Sequence, residues 1–553
     1  MKYRIGKTIA VQGDTIEMLL EEPRRDAEGI ESGVPANMTV AFDQPPRSLV
    51  IGQPGSFVEM AIPTGGLLGV VIACRLLDPT KAFQESSIGA RVLEALAIGT
   101  LDRQGRFDRG SDVLPTVGMD VYAVAPESLQ AMYASDEHAT VAIGKLSYLP
   151  SQDAKINLDS LLSRHAAIVG QTGAGKSWTV ASLLQRIAAF PQSTVILLDL
   201  HGEYGRAFGS YATNISAAEL ELPYWLMNAE ELMDVCIERH ETGAPLQIAK
   251  FKELLQAAKS TNRDNAALKL PKISLDTPVY FDFQRFIEEL QRLDTELVLV
   301  NLIRTHGPLY GMFTKTILRI QSRLNDRRFD LIFNPKTYKD SVSMEALFRR
   351  ILGEETAPKK LVTLDLSQVP FDVRSSVISL ILRCLFDFAY WYKRKHGNAY
   401  PISVFCDEAH TYLNDADAGH RASRLSAERI AKEGRKYGVS LTAITQRPRE
   451  VSSTILSQCN SFMCLRISNP DDQQYVRNLL PDSMKGIVSM ISTLRRGEAL
   501  VVGDAVMMPT RVKIFPPDPK PDSADVSFTT RWSKAHAEVD VGGVVTMWRR
   551  EGA

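Results

Sequence analysis

Apolar positions along this chain fall into distinct regimes. Up to about residue 145 they come as short runs: Ser56-Phe57-Val58-Glu59-Met60-Ala61-Ile62, then 69–77, then Gly118-Met119-Asp120-Val121-Tyr122-Ala123-Val124. Gly, Pro and Asp punctuate these runs at close intervals, which predicts short strands in a small barrel. From about 146 strand-like runs alternate with helix-like segments, the pattern of a parallel sheet with crossover helices. The predicted strands are 166–169, 194–199, 361–366, 402–407, 440–445, 461–467 and 498–502. Most are nearly continuous in apolar residues, as strands buried on both faces should be. Between about 225 and 350 Glu, Leu, Arg and Lys become dense, as in Phe286-Ile287-Glu288-Glu289-Leu290 and 315–324, which predicts a helical insertion. After Phe515, the run Pro516-Pro517-Asp518-Pro519-Lys520-Pro521 excludes regular helix or central strand and reads as an extended arm.

The expected fold class is therefore α/β. An N-terminal small β-barrel (1–145) precedes a sheet domain in two parts (146–224 and 351–515), split by the insertion (225–350) and followed by the arm (516–553). A length of 553 residues exceeds what one core can serve, in keeping with that division. No apolar run approaches the ~20 residues of a membrane span, and residues 1–6 carry no signal-peptide core, so a cytoplasmic protein with no membrane partner is expected. The six cysteines are scattered, without zinc spacing, and read as reduced, buried thiols. A formal charge of −1 excludes a global field for nucleic acid, so any such contact must use a local basic lining.

The strongest chemical signal is Gly170-Gln171-Thr172-Gly173-Ala174-Gly175-Lys176-Ser177, a complete G-x-x-x-x-G-K-S loop. It follows the apolar run 166–169 and precedes a helix-like segment opening at Trp178, which is the strand–loop–helix setting the motif requires. Its glycines let backbone N–H groups wrap phosphates, Lys176 supplies charge to them, and the Ser177 hydroxyl can ligate Mg²⁺. Residues 170–178 are thus the expected ATP contacts. Val404-Phe405-Cys406-Asp407-Glu408 ends a second strand in two carboxylates. There the first, Asp407, holds Mg²⁺ with Ser177, and Glu408 activates the attacking water.

Gln446, at the end of the 440–445 run, stands where it can sense a γ-phosphate or, alternatively, cap the turn before Pro448. His201, in Asp199-Leu200-His201-Gly202-Glu203-Tyr204, lacks a partner at metal-ligand spacing and reads as loop support for phosphate or nucleic acid. Arg164 and Arg435 are candidates for the arginine that stabilises phosphoryl-transfer charge, against the plainer reading of surface arginines.

An ordered set of motifs carries a family resemblance: Ser163-Arg164-His165, the phosphate loop, residues 199–204, Leu222-Pro223-Tyr224-Trp225-Leu226, Asp407-Glu408-Ala409-His410, Glu433-Gly434-Arg435-Lys436-Tyr437-Gly438 and Thr445-Gln446-Arg447-Pro448. Together they closely resemble the HerA translocases of the HerA–FtsK group of P-loop NTPases, across essentially the whole chain. The resemblance implies a RecA-like core and a homohexameric ring with double-stranded DNA in its channel. ATP sites would lie between subunits, and the arm would brace a neighbour. Arg164 and Arg435 take the family's arginine roles, with the one acting in cis left open. The implied partner is a NurA-like nuclease in DNA end processing, or a defence effector such as a sirtuin-type NAD-hydrolase in antiphage systems.

In such a ring, His420, Arg421, Arg424 and Arg429 are the candidate DNA-facing lining, although Glu428 nearby suits a solvated helix face equally. The string Asp407-Glu408-Ala409-His410 also suggests a DEAH-box helicase. The separation of 231 residues between Lys176 and Asp407, and the lack of a following Q-x-x-G-R-x-x-R, argue against that. Two alternatives from other classes stay open: an ATPase scaffold that assembles and activates an effector enzyme, and a protein-remodelling ATPase.

Overall fold

The computed structural model describes residues 3–25, 31–43, 46–77, 90–104, 106–124, 139–209, 212–216, 218–237, 244–300, 303–354, 361–480, 487–523, 527–533 and 539–549. Six antiparallel strands close the N-terminal barrel. Around it run Arg91–Asp102, Thr15–Leu20, Tyr3–Gln12, Asp120–Ala123, Phe57–Ile62 and Gly65–Leu76, the last pairing back onto Arg91–Asp102. Strict alternation of burial along Thr15–Leu20 sends Ile16 and Met18 inward, where they meet Ile5, Met60, Val71, Leu93 and Val121. Tyr3–Gln12 escapes pattern reading because Gly6 interrupts it. A Cβ at Gly6 would lie 2.0 Å from the Leu19 carbonyl oxygen of the adjoining strand, so the close strand approach requires glycine there. Part of the barrel's outer surface (Phe57, Leu68, Val70, Ile98) belongs to the larger core, which joins barrel and sheet domain into one packed body.

The main sheet has eleven strands, of which seven run parallel: Cys459–Cys464, His165–Val169, Val439–Thr445, Ile402–Cys406, Val195–Asp199, Leu361–Asp365 and Ala212–Ile215, in that order. Six of these match expected runs. Ala212–Ile215 escaped because it is a short edge strand with Thr213 and Asn214 in the middle. Glu498–Gly503 is in the sheet but antiparallel to Cys459–Cys464. Its unbroken apolar run reports burial on both faces, not strand direction. Thr510–Ile514 and the hairpin Thr140–Leu146/Leu149–Asn157 complete the antiparallel end, so the large sheet already begins at Thr140.

Between residues 225 and 350 lie the helices Ala229–Cys236, Ala244–Thr261, Phe283–Asp294, Thr314–Leu324 and Met344–Ile351, with a small hairpin, Leu297–Val300/Ile303–His306. Phe283, Phe286, Ile287, Leu290 and Leu293 recur at helical spacing and are buried, gathering with Tyr224, Phe281 and Phe333 into an aromatic cluster. Among the described residues no helix is long and apolar enough to cross a membrane. Five cysteines are buried thiols, whereas Cys74 is exposed, on a barrel strand where side chains alternate between core and solvent.

One buried ion pair fastens the insertion to the long helix Phe371–His396. The Arg383 Nε and Nη2 groups donate to the two oxygens of Glu231, each at 2.9 Å. Glu231 also accepts the Asn228 N–H at 3.1 Å in a reciprocal capping box. Removing one partner of such a pair leaves a buried charge uncompensated. Arg383→Ala should therefore destabilise the protein by about 3–5 kcal/mol, read as a drop of several degrees in the thermal unfolding midpoint. A midpoint within a degree of the parent would show that the pair is not what holds the insertion.

Candidate nucleotide site

Parallel strands align their C-terminal ends, and loops leaving those ends form the crevice where open α/β sheets bind ligands. Here Val169 lies beside Thr445, Cys406 beside Ala443, and Leu198 beside Cys406, so the phosphate loop, Gln446, Asp407 and the 199–204 loop issue from one edge. The phosphate loop is held by main-chain bonds. Gly170 N–H donates to Thr445 O at 3.2 Å, Gln171 N–H to Arg466 O at 2.9 Å and Gly497 N–H to Ala174 O at 3.1 Å. Gly173 (φ 76°) and Gly175 (φ 106°) adopt the left-handed region, which turns successive N–H groups toward one side. The helix Lys176–Ile187 begins at Gly175 with no side-chain cap, so its first N–H groups remain available to an anion.

Lys176 is only 9% exposed, and burial lowers its pKa against the opposing pull of Glu408, Asp407 and Glu203. Asp407 is buried, and its carboxyl is pushed well above the usual range, first by desolvation and then by Glu408, Asp199 and Glu203. Glu408 is raised as well, by desolvation first, with Lys176 and His201 pulling it back. Its backbone is in the left-handed region (φ 45°), pinned there by the Thr411 N–H and hydroxyl, both donating to Glu408 O at 2.9 Å. Glu408 Oε2 is buried 3.3 Å from His410 Nδ1 and accepts no well-formed hydrogen bond among the described residues. Burial brings the His410 pKa down to about 4, so at neutral pH this imidazole is uncharged. Its Nδ1 also lies 3.2 Å from Thr445 Oγ1.

Thr172 of the phosphate loop donates its hydroxyl to Gln446 Oε1, which places Gln446 against the loop. Among the described residues no three His, Cys, Asp or Glu side chains form a self-contained metal cage. Ser177 and the Asp407 and Glu203 carboxylates instead supply an acidic, oxygen-lined face beside Lys176. That donor chemistry suits a hard cation held jointly with phosphate oxygens.

Arg164 and Arg435 lie elsewhere. Arg164 immediately precedes the strand His165–Val169, and Arg435 closes the helix Arg421–Tyr437 just before the strand Val439–Thr445. Both therefore sit at the N-terminal edge of the parallel strands, at least one strand length (about 16 Å for five residues) from their own phosphate loop. Arg164 is paired with Asp504, whereas Arg435 is exposed and makes no ion pair among the described residues. Of the basic lining, Arg424 is spent on Asp415 at 3.2 Å, and Arg429 on Asp387 at 3.5 Å and the Phe386 ring at 4.2 Å. His420 packs against Asp417 and Phe371. Arg421 alone among the four makes no such contact among the described residues.

Several site residues went unrecognised as chemistry in the sequence. Asp199 accepts the N–H groups of His201, Gly202, Glu203 and Tyr204 and thereby shapes that loop. Ser177 Oγ donates to Glu203 Oε2 at 3.1 Å. Arg447 acts electrostatically on Glu408, as does His201, the residue expected from the sequence to support phosphate or nucleic acid. The signal available was the run Asp199-Leu200-His201-Gly202-Glu203-Tyr204 itself, whose acids close a strand parallel to the one ending at Asp407.

Comparison with known proteins agrees with this geometry. The family model "Helicase HerA, central domain" matches residues 141–385. The chain is 28% identical over 437 residues to the DNA double-strand break repair helicase HerA of Pyrococcus furiosus, covering 72% of this chain and 73% of that protein. Its Saccharolobus solfataricus counterpart is 28% identical over 428 residues, covering 76% and 77%. Among solved structures, the plasmid coupling protein TrwB aligns at 12% identity and TM-score 0.44, covering 72% of this chain and 95% of that one. VirB4 of Thermoanaerobacter pseudethanolicus aligns at 17% and 0.42, covering 69% and 97%. With a phosphate loop and paired acids at one sheet edge, and similarity to HerA helicases along most of its length, the chain is a P-loop ATPase, an ATP-hydrolysing enzyme.

Proposed function

We propose that this chain is an ATP-dependent motor on double-stranded DNA, a translocase or helicase acting as a homohexameric ring. The observation that carries the reading is the split of one catalytic set between two edges of one sheet. Lys176, Asp407, Glu408 and Gln446 gather at the C-terminal edge, while Arg435 and Arg164 stand at the other. A closed ring of head-to-tail copies brings one subunit's second edge against the next subunit's first. Arg435, exposed and unpaired among the described residues, acts in trans, and Arg164 shapes the same edge through Asp504. The HerA names of the relatives, DNA double-strand break repair helicases, support DNA as the track.

Within the site, the 170–178 backbone and Lys176 hold the phosphates of ATP. Ser177 and Asp407 would hold Mg²⁺, which supplies charge neutralisation to the phosphates when bound. Glu408 Oε2 takes a proton from the attacking water. Its raised affinity for protons suits that role, and His410 beside it, uncharged at neutral pH, does not neutralise the carboxylate. Gln446, tied to Thr172, senses the γ-phosphate. The ring serves an effector of the nuclease or sirtuin-type NAD-hydrolase class. The scaffold reading draws support from one observation, the exposed apolar side chains Trp532, Met547 and Trp548 near the C-terminus, which suit a protein partner.

Lys176→Ala should abolish nucleotide binding or turnover, and Glu408→Gln should bind ATP while losing at least a hundredfold in hydrolysis. A base with a raised pKa must be ionised to act. The parent rate should therefore fall as pH drops and Glu408 takes up a proton, which burial makes easier than for a free carboxylate. Near-normal turnover in Glu408→Gln would remove it from the role of base.

Mixing Arg435→Ala with Lys176→Ala subunits should recover part of the activity, because a mixed interface in one of its two orientations joins an intact loop to an intact arginine. Mixtures that stay dead at every ratio, with subunit exchange verified, would rule out the trans role.

DNA should stimulate hydrolysis if the protein is a motor and leave it unchanged if it is mainly a scaffold. Arg424 is committed to Asp415, so Arg421 is the residue to remove. Arg421→Ala should lower DNA-stimulated turnover and reduce the salt slope of duplex binding by about one, sparing the DNA-free rate. An unchanged salt titration would take this loop out of the channel.

A further inference from the structure

The loop that follows the strand Val195–Asp199 places Glu203 where the mechanism above makes no use of it. Its carboxylate accepts the Ser177 hydroxyl proton at 3.1 Å, and its main-chain carbonyl accepts the Asp522 N–H at 2.9 Å. The loop is rigid, because four successive N–H groups, from His201 to Tyr204, converge on the buried Asp199. Beside it the Tyr204 side chain is fully buried, and its hydroxyl has no well-formed hydrogen bond among the described residues.

Asp522 belongs to a proline-rich strap laid along the phosphate-loop helix. The Asp518 N–H donates to Gln185 Oε1 at 3.0 Å, and Gln185 Nε2 donates to Pro519 O at 2.9 Å. Lys520 stands over the Trp178 ring at 5.3 Å, Arg206 pairs with Asp522 at 3.2 Å, and Arg186 lies over Phe515 at 5.0 Å.

A serine hydroxyl has one proton and two lone pairs. Donating that proton to Glu203 fixes the rotor and keeps the oxygen's lone pairs for a cation. We propose that Glu203 is a positioning residue. It orients Ser177 toward the divalent cation of the nucleotide complex, and through its own backbone links that event to the C-terminal strap. The assignment rests on the reading of this site as an ATP–Mg²⁺ site. Carboxylates that orient a metal ligand in this way typically alter metal affinity by 10–100-fold when removed. The same loop touches the strap directly, so a shift at Ser177 reaches residues 518–522 without passing through the sheet.

The test is binding of a fluorescent ATP analogue to the full-length protein during a Mg²⁺ titration. It compares the parent, Glu203→Ala and Glu203→Gln, with binding in EDTA as the cation-free baseline. Glu203→Ala should need about tenfold more Mg²⁺ for half-maximal effect while matching the parent in EDTA. Glu203→Gln, which still offers an oxygen to Ser177, should recover most of the difference. Hydrogen exchange at residues 518–523 should slow on adding Mg²⁺ and nucleotide to the parent and not to Glu203→Ala. A Glu203→Ala titration that superimposes on the parent overturns the positioning role, and equal exchange in both proteins overturns the link to the strap. A parent that binds no nucleotide overturns the ATP–Mg²⁺ reading itself, and with it this assignment.

Discussion

Four carboxylates, Asp199, Glu203, Asp407 and Glu408, are drawn to one edge of the sheet around a single buried lysine, and the site depends on that crowding. Desolvation raises Asp199, Asp407 and Glu408, with Asp365 repelling Asp199 and the neighbouring carboxylates of the site repelling Asp407 and Glu408, while Lys176 is lowered by burial despite the acids around it. Such an arrangement is costly for an isolated fold and favourable for one that meets phosphates and a cation, because each incoming charge relieves a like-charge or desolvation penalty. The fold absorbs part of that cost locally. Asp199 takes four N–H groups, which satisfy its buried oxygens.

Sheet geometry then decides what the same chain can and cannot supply. Parallel strands send all their loops to one edge, so the residues preceding them lie about a strand length away. Arg164 and Arg435 are on the wrong side for their own phosphate loop, and the head-to-tail ring proposed above would set them against a neighbour's, making assembly and catalysis one problem. The helix Arg421–Tyr437 spans both edges, with Arg421 at the nucleotide side and Arg435 at the far side, so one rigid element links the two.

The parts legible in the sequence were those with local signatures. Strands buried on both faces announce themselves as apolar runs, and the phosphate loop and Asp407-Glu408 carry their chemistry within a few residues. Illegible were features set by distant partners. Gly6 breaks a strand's pattern because a neighbouring backbone lies against it. Arg424 and Arg429 looked like free charge until Asp415 and Asp387 were found beside them. Glu203 gains its meaning from Ser177, twenty-six residues earlier, and from Asp522, more than three hundred later. The proline-rich segment was readable as extended, but not as a strap over Trp178 and Gln185 of its own chain.

The central claim is that no single copy contains a complete catalytic site. Specific ATPase activity measured across a dilution series, with assembly state followed in parallel by mass photometry, tests it most directly. The account predicts that turnover per chain falls in step with dissociation and approaches the background of the Glu408→Gln protein in the monomer. A monomer that hydrolyses ATP at the undiluted rate per chain would contradict it.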